Sequence, residues 1–151
     1  MTRAIDHRGR ARRGGGAAAY LLACLLASSP GAVAAQQQAS GATQTSSQSG
    51  VNVKVTPRRP APGAATWDFA VVLDTHSQEL ADDLTRTATL VTDDGRRLKP
   101  AGWAGAPPGG HHREGVLSFP APDPVPGAFE LHLSRPGESS VRVLRWKPDG
   151  R

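Results

Sequence analysis

Past residue 50 the chain alternates apolar and polar side chains with a period of two, the pattern of strands with one buried face. In VNVKVT, Val51, Val53 and Val55 share a face, and Pro57 ends the run. TWDFAVVLDT places Trp67, Phe69, Val71 and Leu73 together. TRTATLVT alternates around Ala88 and Leu90 and meets DDG, whose Asp94-Gly95 pair suits a tight hairpin turn into RRLKP. GVLSF stops at Pro120; AFELHLS alternates Phe129, Leu131 and Leu133; SVRVLRW sets Val141, Val143 and Arg145 against Arg142, Leu144 and Trp146. These runs predict seven strands. Only HSQELADDL, with Leu80 and Leu84 four apart, predicts a helical turn.

Seven short strands separated by turn signals predict an all-β domain over 51–147, an immunoglobulin-like β-sandwich, with a short tail at 148–151. All three Trp and all three Phe of the chain fall in this region, so two layers can enclose a core. APPGG and PAPDPVPG interrupt strand pairing and blunt exposed edges.

The first 50 residues follow another logic. Arg3, Arg8, Arg10, Arg12 and Arg13 precede the apolar run Ala17 to Ala27, and small residues follow in AVAA. A basic segment, a short apolar segment and a small-residue cleavage site form a secretory signal peptide, expected over 1–35. Cleavage is expected after Ala35, with Ala34 as the alternative, leaving Gln36 first. The apolar run is shorter than the ~20 residues a membrane span needs, so no span is expected after cleavage. Gly14-Gly15-Gly16 follows Arg12-Arg13 where twin-arginine signals carry a bulky apolar residue, which favours Sec export to the periplasm or the medium. Lipidation at Cys24 is disfavoured because the apolar run continues through Leu25 and Leu26. Residues 36–50, QQQASGATQTSSQSG, hold no charge and little to bury, and are expected to be a disordered linker.

Export changes the charge. Five of the 18 Lys and Arg and one of the 13 Asp and Glu lie before Gln36, leaving a formal charge of +1. The basic balance belongs to the leader, so nucleic acid is not the expected partner. Cys24, the single cysteine, leaves with it, and the exported domain must rely on packing alone.

Four histidines remain. Asp74 and His76, two apart in DTHS, share one side of a strand. His111 and His112 stand at a loop-to-strand junction behind Gly109-Gly110, whose backbone freedom could turn them toward the first motif. If the two junctions meet, Asp74, His76, His111 and His112 offer neutral imidazoles and one carboxylate to zinc or copper(II). The competing reading gives all four ordinary structural duties at strand ends. His132, opposite the apolar set of its strand, is expected at the surface. Arg113 is expected to pair with Glu114 at the surface, to cap the loop, or to bind Asp74. Trp103, in the connection from Ala101 to Glu114, either packs beneath that loop or anchors a partner; Trp103 and Arg113 are the candidate contact residues.

Catalysis is not expected. The chain has no G-x-S-x-G elbow, phosphate loop or dinucleotide fingerprint. Asp74, His76 and Ser77 match a triad in composition alone, since residues so close on one strand cannot form the carboxylate–imidazole–hydroxyl relay.

WDFAVVLDTHSQELADDL, DDGRRLKPAGWAGAPPGGHHREGVLSFP and a last strand ending in Trp146 resemble a small domain of secreted or membrane-anchored bacterial proteins. That family, whose activity is uncharacterised, pairs W-x-F-x-V-x-L-D-T-H-S with G-G-H-H-R-x-G-V-L-x-F. The likeness covers Val51 to Trp146 and implies an exported β-sandwich. The expected function is a non-enzymatic module binding an envelope or extracellular protein, without a required cofactor. The alternative is a periplasmic zinc- or copper-binding domain.

Overall fold

The computed structural model describes residues 41–58 and 60–147. The expected signal peptide, its cleavage sites, Cys24, linker residues 36–40 and the tail 148–151 lie outside them. The described residues form nine strands and one helical turn: β1 (Gln44–Gln48), β2 (Val51–Pro57), β3 (Thr66–Thr75), α1 (Leu84–Thr87), β4 (Ala88–Thr92), β5 (Arg97–Leu98), β6 (Gly102–Gly105), β7 (His112–Pro120), β8 (Phe129–Leu133) and β9 (Arg142–Trp146). All pairings are antiparallel, in a five-stranded sheet ordered β1-β2-β3-β7-β6 and a four-stranded sheet ordered β5-β4-β8-β9. Among the described residues no helix is long and apolar enough to cross a membrane.

The period-two runs bury their apolar faces. β2 pairs Val53 with Leu73 and Val55 with Val71 of β3, and all four side chains are buried. Phe69 and Trp67 from one sheet meet Phe129 from the other edge-on, at 5.9 and 5.2 Å between ring centres, and Trp146 stacks on Phe129 at 5.5 Å. One core therefore draws on both sheets, each large apolar side chain contributing about 1.5–3 kcal/mol on burial.

Two strands appear where the pattern predicted none. β1 lies inside the stretch expected to be a disordered linker, and that expectation is corrected for Gln44–Gln48. A two-residue turn, Ser49 and Gly50 at φ 48° and 74°, returns it into β2. It is tied to the other sheet by side chains of β9. Arg142 of β9 donates to the carbonyls of Ser46 (2.6 Å) and Gln48 (2.8 Å), and Trp146 Nε1 donates to that of Ala42 (2.7 Å). β6, the GWAG segment, pairs with β7 at a glycine-on-glycine crossing, Gly105 opposite Gly115. A Cβ on Gly115 would stand 2.6 Å from both the Gly105 Cα and the Trp103 ring, so both glycines make room for that indole.

The single helical turn expected in HSQELADDL forms at its end rather than along it. Only its last residue, Leu84, enters α1, because the Asp83 carboxylate accepts hydrogen bonds from the Thr85 backbone and hydroxyl and starts the turn there. The Asp94-Gly95 turn forms as expected, with Gly95 at φ 85°.

Candidate functional site

The connections 76–83, 106–111 and 134–141 meet at the end of the sheets where β3 finishes and β7 begins. Leu80 exchanges backbone hydrogen bonds with Gly109 and Gly110, and Gln48 reaches the Ser140 hydroxyl at 2.8 Å. These loops carry few apolar residues, and Leu80, buried in the core, anchors only the first of them. Three arginines hold them together.

Arg113 is buried, which corrects the expected surface pair with Glu114, and of its expected roles it takes the one of capping the loops. Its place on β7 alternates inward between exposed His112 and Glu114. Arg113 Nη1 donates to the carbonyls of Leu80 (3.1 Å) and Asp82 (2.7 Å), Nη2 donates to that of Ala106 (3.3 Å), and the guanidinium lies 5.7 Å from the Trp103 ring centre. Trp103 Nε1 donates to the same Ala106 carbonyl at 2.9 Å, so the half-buried indole supports the loop from beneath. Burial lowers the Arg113 pKa while the charges of Asp82 and Asp83 raise it.

The Asp82 carboxylate, itself buried, accepts from Arg135 Nε and, at 3.2 Å, from Nη2. Arg135 Nη1 donates to Glu138 at 3.1 Å, and Arg142 donates to both oxygens of Glu138, at 2.5 and 2.8 Å. Burial pushes the Glu138 carboxyl upward, but the hydrogen bonds and charges of Arg142 and Arg135 outweigh it and leave the pKa low. A continuous chain of buried and partly buried groups thus runs from Trp103 through Arg113, Asp82, Arg135 and Glu138 to Arg142 and the β1–β2 hairpin.

On the outer side of the five-stranded sheet, the register sets Asp74 opposite His112. His112 Nδ1 lies 2.5 Å from Asp74 Oδ1, and an ionised carboxylate can only accept, so the proton is on Nδ1. Nε2 faces Glu114 Oε2 at 3.8 Å. The hydrogen bond that His112 donates to Asp74 raises the His112 pKa, desolvation opposes it by less, and the charges of Asp74 and Glu114 add to the rise. Arg113 does not bind Asp74; the neighbouring histidine does.

Of the four candidate metal ligands, Asp74 and His112 touch. His111 joins the junction through its backbone, its carbonyl accepting from the Thr75 amide at 2.9 Å, while its side chain is exposed. His76 is exposed one residue past β3. Among the described residues no three His, Cys, Asp or Glu side chains converge around a point that could hold a metal ion. Ser77 turns toward Gly50, whose added Cβ would meet its hydroxyl at 2.7 Å, and no hydroxyl among the described residues hydrogen-bonds the His112 ring. His132, expected at the surface, is partly covered and bonded through Nε2 to Glu130 at 2.7 Å.

Glu114 was not among the expected site residues, although its spacing of two from His112 on one strand face signalled it. Asp82, Arg135, Glu138 and Arg142 carried no such signal, because in a sequence a charged residue beside a turn reads as solvated.

No family model, curated protein or solved structure compared with the chain matches it.

Proposed function

We propose that the chain is an exported, non-enzymatic interaction module, an immunoglobulin-like β-sandwich that binds a protein of the cell envelope or the extracellular space. The strand order supports the fold assignment: with β2 as the first strand, the sheets read A-B-E-D and C′-C-F-G, and β1 is an added edge strand. In that scheme the three loops correspond to the B–C, D–E and F–G connections, which lie together at one end.

The observation that carries the functional reading is the buried arginine chain beneath those loops. Burying ion pairs gives little net stability compared with apolar side chains of similar volume. What it provides is a fixed loop geometry, which reduces the ordering cost of binding. The surface so held includes His76, Glu79, Pro107, Pro108 and His111, all exposed.

A photo-activatable residue placed at Pro107 or His111 is expected to crosslink one envelope protein in cells that export the chain. The same residue at Asp94 or Val125, at the opposite end, is expected not to. Equal yields at both ends, or no adduct from the loop end, would overturn the assignment.

A second reading, a periplasmic domain binding zinc or copper, is favoured by one observation. Asp74 engages Nδ1 of His112 and leaves Nε2 turned outward, the orientation found in metal-ligating histidines, whose second nitrogen donates to a carboxylate.

A further inference from the structure

Resting on that second reading, we propose that a divalent transition-metal ion, copper(II) in preference to zinc, is chelated on β7 by His112 Nε2 and a Glu114 carboxylate oxygen, with Asp74 as a positioning residue. The strand supplies the geometry. His112 and Glu114 are exposed and Arg113 between them is buried, so the two ligands stand on one face, one pleat apart. An ion about 2.0–2.1 Å from an imidazole nitrogen and 2.0–2.2 Å from a carboxylate oxygen holds its two donors roughly 3 Å apart. Here they are 3.8 Å apart, and the Glu114 side chain, 72% exposed, is free to close the difference by a rotamer change.

The Asp74 hydrogen bond keeps the proton on Nδ1, so the lone pair of the neutral ring is on Nε2 and the ring need not rotate to bind. Lys54 stands two strands away in the row of Glu114, roughly 10 Å at the usual strand spacing, too far to compete for its carboxylate. Mixed imidazole and carboxylate donors suit copper(II) and zinc, and copper(II) binds the same donors more tightly. Two protein ligands leave the remaining positions to water. The ion is therefore exchangeable, held for transfer rather than for structure.

The composition of the site separates it from the wider metal reading. Asp74 is a supporting group and not a ligand, and His76 and His111 lie outside the site. The test uses the full chain carrying His7→Ala and Cys24→Ser, which removes the histidine and the cysteine outside the described residues. Copper(II) and zinc salts are titrated at neutral pH by calorimetry and histidine-ring NMR, and each variant's melting without metal confirms that it folds.

His112→Ala is expected to abolish copper binding, and Asp74→Asn to weaken it roughly 10- to 100-fold while leaving the number of bound ions unchanged. Glu114→Gln is expected to weaken binding about tenfold, as loss of one of two ligand teeth, and Glu114→His to tighten it. His76→Ala and His111→Ala are expected to bind as the parent does. Loss of binding in either of those two, with Glu114→Gln unaffected, overturns this site and leaves the metal reading standing. Absence of binding by either ion overturns both.

Discussion

Replacing Asp82 by alanine removes the carboxylate that stands between two buried guanidinium groups. Arg135, 6% exposed, loses the hydrogen bonds from Nε and Nη2 and keeps only the one from Nη1 to Glu138. Arg113 loses the larger of the two carboxylate charges that oppose its desolvation and keeps that of Asp83. Removing one partner of a buried ion pair costs about 3–5 kcal/mol. Because Glu138 continues to serve Arg135, the lower end of that range applies. In a domain of about 100 residues, 1 kcal/mol shifts the melting temperature by about 4–8 °C, so Asp82→Ala should melt roughly 12–24 °C lower. Melting followed by near-ultraviolet circular dichroism reads this directly, since Trp67, Trp103 and Trp146 all pack in or against the core. The double variant Asp82→Leu with Arg135→Met removes the charge together with its counterion and should recover most of the loss, leaving Glu138 with Arg142. A fall of less than about 1 kcal/mol in the single variant, or a double variant no more stable than Asp82→Ala, would refute the network as the element that holds the loop end.

Gly115→Ala should lose about 1–3 kcal/mol by overpacking, because its Cβ would meet the Gly105 Cα and the Trp103 ring at 2.6 Å. Gly102→Ala, with nothing within 4 Å, should stay within about 0.5 kcal/mol of the parent in the same melting assay. The His112 pKa is raised in the folded state, so the stabilisation from its protonated form is fully present below its unfolded value and disappears as pH rises through the folded value. Histidine-ring NMR should therefore show His112 titrating above the ordinary histidine value, and Asp74→Asn should bring its midpoint down; an unmoved midpoint would detach Asp74 from the effect.

The strands were legible wherever apolar residues recur every second position, as in β2, β3 and β8. β1 was not, because QTSSQ has nothing to bury. It is ordered by pairing with β2 and by donors from β9, neither of which leaves a trace in its own sequence. β6 was hidden by its glycines, whose role becomes visible only when Gly105 and Gly115 are seen back to back under one indole. The meeting of the DTHS and GGHHR segments was anticipated from the sequence, but the partner of Asp74 could have been any of three side chains. The register of β3 against β7 selects His112. For Arg113 the sequence left a surface pair, a loop cap and a bond to Asp74 open; alternation around the exposed His112 turns it inward to three loop carbonyls and selects the cap.

The bond from Arg142 to the β1 carbonyls sets a limit on how the chain can be shortened. A fragment beginning at Val51, where the hydrophobic pattern starts, would keep every residue of the apolar core. It would nonetheless strip a buried guanidinium of its Ser46 and Gln48 acceptors and leave β2 as an unpaired border strand. Such a fragment should self-associate through that open border, so the functional boundary of the folded unit falls before Gln44, inside a stretch that composition alone would discard.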